Sequence, residues 1–530
     1  MAKLIGPAWR HNVSRFRRKT LTRLRADTSR REAVYFDGYL PYSKKPVRLD
    51  RVQKSTTQLI RLFSKCPHGL PIITPNPQTL DQAALFDVSG QPHDQKHFPL
   101  QPPFLVPAII DALRASDAYG DLIYLVSGEA DDFCARHTFK GTPACILTSD
   151  SDLLVHDLAD GTGVVFLRDI YTAADDSLSC ALFAPAEIAA QFEVSSTRVA
   201  YERARLPQVT VNQLRRVCLE ETPDEDMFRL FCRQYTDSEK GKSIFAWNFG
   251  VMDPRLSELA YQLSGTASVE PDMYLPTLTE NPSRRSAWEP SLALRSMAYV
   301  FAAQAYRTRH KSVREHRKIQ NIRQHKGTSV KLSKRSARLF MDELLLLLKR
   351  CARSKEIASE PGWLLACIAI DVQDHLKSDK RSNLLDILER PPYQSRKSKL
   401  HGWDSVHATA HLLAALYSLR LVDQIIRGMP TSSIDSLPAG LVDLADHISR
   451  ILPSLKTFPD VAYFAEILQD KEHAASLRAR VGEVLDIPEE EEEDESEEDN
   501  GESLNGAAGS GNTQTTSRKT NNPFDLLSAE

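Results

Sequence analysis

The stretch Leu122-Ile123-Tyr124-Leu125-Val126-Ser127-Gly128-Glu129-Ala130-Asp131-Asp132 decides how the chain is read. A run of apolar residues ending in Ser-Gly predicts a buried strand. The following Glu129–His137 predicts a helix with acids in its first turn, where they suit the positive end of the helix dipole. Two flanking segments repeat the arrangement. Ala33-Val34-Tyr35-Phe36 reads as a strand that stops at Asp37-Gly38, and Ala144–Leu147 as one that stops at Thr148-Ser149-Asp150-Ser151-Asp152. Gly163–Leu167 supplies a fourth. Strand and helix alternating through short links predict an α/β fold with a mostly parallel sheet flanked by helices.

In an open parallel sheet, functional groups gather at the carboxyl ends of the strands. Here three successive strands end in acids, so Asp37, Glu129, Asp131, Asp150 and Asp152 are expected on one edge. A single Asp after a strand is commonly a turn former or helix cap; three such clusters in succession call for a shared cause. Convergent carboxylates repel one another unless cations neutralise them. Hard divalent ions with oxygen ligands, Mg²⁺ or Mn²⁺, are the natural partners, and two of them suit phosphodiester hydrolysis. A phosphatase with an Asp-x-Asp nucleophile motif is the competing chemistry. Asp37-Gly38-Tyr39 lacks the second Asp, and Asp150-Ser151-Asp152 is followed by Leu153-Leu154 where a hydroxyl or Val is needed.

The chain has 530 residues, of which 42% are hydrophobic and 26% charged, an ordinary globular composition with room for several packed units. No apolar run is long enough to span a bilayer, so no membrane partner is expected. Eight scattered cysteines without a Cys-x-x-Cys pair predict reduced thiols inside the cell and no Cys-based zinc site. The net charge of −3 conceals segregation: residues 481–530 carry 15 acidic and 2 basic groups, which leaves a basic body. Residues 1–31 contain ten Lys/Arg and one acid, and 307–335 eleven Lys/Arg and one Glu. Either could track a phosphate backbone; without aromatic interleaving, neither suggests base stacking. The Arg-rich start makes a mitochondrial presequence a minor alternative to a polybasic arm.

These motifs resemble the flap endonuclease/XPG-type nucleases, which have a PIN-like fold. The likeness runs through Val34-Tyr35-Phe36-Asp37-Gly38-Tyr39-Leu40-Pro41, Gly128-Glu129-Ala130-Asp131 and Thr148-Ser149-Asp150-Ser151-Asp152. More narrowly the chain is similar to the fungal asteroid-type branch, through Pro103-Phe104-Leu105-Val106-Pro107, Met252-Asp253-Pro254-Arg255-Leu256, Tyr274-Leu275-Pro276 and Ser286-Ala287-Trp288-Glu289. The resemblance implies that Asp37, Glu129 and Asp131 hold one metal ion and Asp131, Asp150 and Asp152 a second. It implies that Lys44 and Arg51 steady the scissile phosphate, with Lys45 and Arg48 as weaker candidates. Branched or single-stranded DNA, or RNA, would be the substrate, with DNA repair in the nucleus as the setting.

Two departures bear on activity. The family opens with an apolar strand bearing a further catalytic Asp, which residues 1–31 do not supply; a truncated gene model or an inactive product is the expectation. The Gly-rich DNA-backbone element expected after Asp152 also has no counterpart. The alternative function is therefore an inactive scaffold that binds nucleic acid or protein.

The expected organisation is a basic segment 1–31, a PIN-like domain 32–180, a mainly helical asteroid-type extension 181–306, a basic linker 307–335 with Arg314, Arg317, Lys318 and Arg323 facing nucleic acid, a helical C-terminal region 336–480, and a disordered acidic tail 481–530. Within the tail, the apolar island Asn522–Leu527 is a candidate protein-docking motif.

Overall fold

The computed structural model describes residues 33–39, 42–71, 100, 102–140, 144–172, 178–236, 252–265, 269–318, 322–354, 361–390, 400–429 and 438–487. The basic segment 1–31, most of the Pro-rich stretch 64–104 and the acidic tail from 488 on lie outside these residues.

The four strands read from the sequence are present, as β1 (Val34–Asp37), β3 (Ile123–Val126), β4 (Cys145–Thr148) and β5 (Gly163–Thr172); β2 (Leu70–Pro71) and β6 (Leu178–Phe183) are two more that the sequence reading did not include. The helices among them are α1 (Lys45–Lys65), α2 (Leu105–Arg114) and α3 (Ala130–His137). β1 runs parallel to β3, with Val34 opposite Ile123 and Asp37 opposite Val126. β4 runs parallel to β5, with Thr148 opposite Phe166, and β6 closes that sheet antiparallel to β5. The expected single sheet is thus divided: among the described residues no ladder joins β1 or β3 to β4.

Gly38 is required where β1 ends. A Cβ there would stand 2.2 Å from the Val126 carbonyl oxygen, so no other residue lets the two strand ends approach this closely. The Gly38 carbonyl also accepts a hydrogen bond from the Ser257 hydroxyl, which ties the strand end to a later helix.

After β6 the chain is mostly helical: α4 (Pro185–Phe192), α5 (Ser196–Arg205), α6 (Val211–Glu220), α7 (Glu225–Thr236) and α8 (Pro254–Ser264). α6 opens on a capping box in which Thr210 and Gln213 satisfy each other's backbone N–H groups. A second sheet follows. β7 (Asp272–Tyr274) lies parallel to β8 (Ser312–His316), which pairs antiparallel with β9 (Thr328–Lys331), and α9 (Leu292–Ala305) separates the first two in sequence. The stretch expected as a basic linker is therefore a folded hairpin. Val313 and Glu315 in β8 and Val330 in β9 face the interior, and alternation along these short strands leaves the intervening Arg and Lys side chains on the outer face.

The remaining helices are α10 (Lys334–Ser354), α11 (Gly362–Lys377), α12 (Asn383–Glu389), α13 (Trp403–Gly428), α14 (Leu441–Ile451), α15 (Val461–Gln469) and α16 (Lys471–Leu485), with β10 (Leu400–His401) paired to β2. α14 buries Leu441, Leu444, Ala445 and Ile448, the one-sided spacing of a surface helix. α13 is apolar on nearly every side because neighbours surround it; Val406, Ala410, Leu412, Leu416 and Leu419 are all inaccessible. One continuous core runs from Phe104 and Leu125 through α8, α9 and α13 to Val484, so the C-terminal helices share their interior with the sheet region.

At the centre of that core lies a fully buried ion pair. Arg295 of α9 grips Glu315 of β8 through Nε at 2.7 Å and an Nη at 3.1 Å. Its remaining donors reach the Ser291 and Ser418 hydroxyls and the Trp288 carbonyl, and Tyr299 also donates to Glu315 at 2.7 Å. Burial pushes the Glu315 carboxyl up, but Arg295, Arg317 and Tyr299 outweigh it and hold the group down at about 2. Arg295→Met should cost about 3–5 kcal/mol by stranding the carboxylate, and Arg295→Met with Glu315→Leu should recover much of the loss. Urea unfolding measures both. Because Glu315 is held below its unfolded value near 4.3, its contribution is present above that pH and is lost as pH falls toward 2; the double variant should lose that acid sensitivity.

Candidate functional site

The acids at the strand ends stand within reach of one another's charge. Asp37 ends β1, and its Oδ1 accepts the backbone N–H of Ala130 at 2.7 Å, so it caps the first turn of α3 from another strand. Asp150 follows β4, takes up the Asp152 N–H on its Oδ1 at 3.1 Å, and donates its own N–H to the Thr148 hydroxyl. Part of what these acids do is therefore turn formation.

Turn formation does not explain the energetics. Burial, then the charges of Asp150, Asp37, Asp152 and Glu129, push the Asp131 carboxyl up to about 7. Asp37 is also raised, by burial first and by Glu129, against the Ala130 N–H and the charges of Arg48 and Arg51. Asp152 is raised by burial and by Asp150, with Lys44 opposing. Carboxylates that raise one another are unstable as neighbours unless cations join them. The donors are all oxygen, the chemistry a hard divalent ion requires. As they stand, however, no group of three or more Asp, Glu, His or Cys side chains among the described residues could hold a metal ion. The donor set fits such an ion in kind, and closing round one requires the side chains to move.

The cations expected beside the acids separate into two groups. Lys44 stands just before α1 with its Nζ 3.3 Å from Glu129. Arg51, one and a half turns into α1, is exposed, and its charge reaches Asp37. Lys45 and Arg48 are engaged elsewhere: Lys45 Nζ lies 2.6 Å from Asp272, while Arg48 pairs with Glu258 at 2.5 Å and covers the Tyr274 ring. These two fasten α1 to α8 and β7. In the hairpin, Arg314 pairs with Glu270, Arg317 with Glu315, and Lys318 with the Arg284 carbonyl and, at 3.9 Å, Glu280. Arg317 and Lys318 are mostly buried, at 10% side-chain exposure each. The side chain of Arg323 lies outside the described residues.

Two groups beside the acids escape sequence reading. His156, after β4, stands 3.9 Å from Asp132 and packs edge-on against Tyr235 of α7. Burial, followed by the charges of Asp152, Asp150, Glu129 and Asp131, raises the Tyr235 hydroxyl strongly, so α7 backs the acidic edge. A small apolar cavity of about 70 Å³ lies behind it, between Asp152, Val199 and Tyr235. Tyr235 sits in an ordinary amphipathic helix far along the chain, and nothing local in its sequence marks it.

Asp131→Asn tests the charge crowding without reference to any reaction. A carboxyl held above its unfolded value costs stability progressively as pH rises from about 4 to about 7. The variant should therefore be more stable than the parent above pH 7, by on the order of 1–2 kcal/mol after solvent screening is allowed for. The gain should vanish near pH 4, as read by thermal unfolding across pH.

Residues 101–331 match the family model described as XPG domain containing. No curated protein and no solved structure matches the chain. The matched region begins just before α2 and ends with β9, so it holds Glu129, Asp131, Asp150, Asp152 and the Arg295–Glu315 pair. Asp37, Lys44 and Arg51 precede it. Its two ends coincide with the elements that the shared core fastens together, α2 at one side and the hairpin at the other. The acidic ends of β3 and β4 thus lie within an XPG-like domain of the nuclease superfamily, matched across residues 101–331, while Asp37 at the end of β1 lies before it.

Proposed function

We propose that the chain is a metal-dependent endonuclease that hydrolyses phosphodiester bonds in branched or single-stranded DNA, with RNA as the alternative substrate. The observation that carries this reading is the placement of acids at the ends of β1, β3 and β4, close enough that the charges of Asp150, Asp37, Asp152 and Glu129 all act on Asp131. The XPG-like match supports it, since nucleases of that superfamily generally work with divalent ions.

Asp37, Glu129 and Asp131 would hold one Mg²⁺ or Mn²⁺, and Asp131, Asp150 and Asp152 the other. Ions bound there would supply Lewis acidity for activating water and would offset the charge of the phosphate. Lys44 is held over the edge by Glu129 and can turn to a phosphate oxygen when that acid is otherwise engaged. Arg51 is exposed and its charge reaches Asp37, so it would offset charge that develops on the phosphate. No side-chain nucleophile is required. Lys45, Arg48, Arg314, Arg317 and Lys318 have structural acidic partners, so Lys44 and Arg51 are the basic side chains this reading relies on.

A second reading, an inactive scaffold for nucleic acid or protein, has two observations in its favour. The acids as they stand form no metal-competent group among the described residues, and the β1–β3 and β4–β5 pairs are separate sheets.

A cleavage assay on labelled single-stranded, flap and duplex DNA, with Mg²⁺ or Mn²⁺, decides between them. The nuclease reading expects metal-dependent cutting that Asp150→Asn reduces at least about a hundredfold while binding persists. Binding without cutting by both proteins would establish the scaffold. Cutting that survives Asp150→Asn would overturn the site assignment.

A further inference from the structure

A cavity of about 760 Å³ lies between the start of α9, the β8–β9 hairpin, the end of α11 and the first turns of α13. It shares no residue with the carboxylate centre, and its size suits a small-molecule ligand. Its wall is cationic. Arg284, Arg285, Arg317, Lys331 and Lys380 line it, against the acids Glu289 and Asp374. Arg284 is paired with Asp404, and Arg317 with Glu315. Arg285, Lys331 and Lys380 are exposed and have no acidic partner among the described residues.

The inner wall is a built polar array. The carboxylate of Asp371, almost wholly buried, accepts the Ser382 hydroxyl at 2.6 Å and His411 Nδ1 at 2.8 Å. His411 Nε2 meets His407 Nε2 at 3.2 Å. This fixes the His407 ring, which is only 3% exposed, with its Nδ1 left unpartnered; the nearest acid, Glu280, is 3.9 Å away. Two further shielded polar atoms of the same wall, Ser286 Oγ and Asn383 Nδ2, also lack a protein partner. These three atoms are shielded from solvent as the wall stands, so the groups that meet a ligand first are the exposed Arg285, Lys331 and Lys380.

We propose that this cavity binds a small molecule carrying a phosphate group. Guanidinium and ammonium groups converging on one space match the charge and the several oxygens of a phosphate. Among the described residues the lining holds no Phe, Tyr or Trp on which a nucleobase could stack, which argues against a strand of nucleic acid as the occupant. His375, raised to about 9 chiefly by its hydrogen bond to Asp371, adds a further positive charge at neutral pH.

The test is isothermal titration of the full chain with inorganic pyrophosphate, in buffer stripped of divalent ions. The proposal expects saturable one-to-one binding, weakened at least roughly tenfold by Lys331→Ala with Lys380→Ala. Both are surface positions, and circular dichroism confirms that the fold is kept. Asp150→Asn should leave the affinity unchanged, so the result stands apart from the nuclease reading. Absence of saturable binding by the parent chain overturns the proposal. So does binding that the double lysine variant leaves unaltered, or that Asp150→Asn abolishes. Binding of a 5′-phosphorylated oligonucleotide in the absence of pyrophosphate binding would also overturn it, in favour of a strand-binding surface.

Discussion

The interior of this protein is organised round one buried ion pair. Arg295 and Glu315 are both inaccessible, and an unpaired charge at that depth would cost several kcal/mol, so neither is tolerable without the other. Arg295 also holds the Ser291 hydroxyl and Trp288 carbonyl at the start of its own helix and the Ser418 hydroxyl in the central helix α13. The pair therefore fixes the β7–β8–β9 sheet to the long helix that forms the middle of the C-terminal half. A second polar junction, where Tyr417 donates to Asp253 at 2.7 Å and Gln424 accepts the Asp253 N–H, seats α8 on the same helix. Through α8 the constraint reaches the site, because Ser257 binds the Gly38 carbonyl and Glu258 takes Arg48 of α1.

This linkage explains why much of the basic stretch 307–335 is not a free polyelectrolyte. A count of Lys and Arg describes a surface only when those groups face solvent. Here Glu315, the single acid of the stretch, sits at its core and draws Arg295 and Arg317, while Asp272 draws Lys45 and His316. The same reasoning separates Lys44 and Arg51 from Lys45 and Arg48. Lys45 meets the second sheet through Asp272, while Arg48 is intermediate: its charge reaches Asp37 as that of Arg51 does, but its guanidinium is paired with Glu258.

Much of the site region was legible because its signals are local. Apolar runs ending in Asp37, Ser127-Gly128-Glu129 and Ser149-Asp150 become β1, β3 and β4, and the acids end up on strand ends, as alternating strand and helix requires. The helical C-terminal region expected over 336–480 is likewise helical in the structure, from α10 to α16. What the sequence hid depends on partners distant along the chain. The division of the sheet between β3 and β4 is a matter of pairing, which no local pattern fixes. The hairpin at 312–331 was obscured by its charge, since its inward-facing positions include Glu315 and His316 as well as Val313. Tyr235 reaches the acids only through the packing of α7, where its ring meets His156.

The acids at the three strand ends are proposed to form one cation-binding centre. Its most direct test is anomalous diffraction at the manganese edge from crystals of the full chain grown with Mn²⁺. Anomalous density is expected among Asp37, Glu129, Asp131, Asp150 and Asp152, and is expected to be lost in crystals of the Asp131→Asn variant. Manganese found only elsewhere on the molecule, or at this edge with undiminished occupancy in the variant, would contradict it.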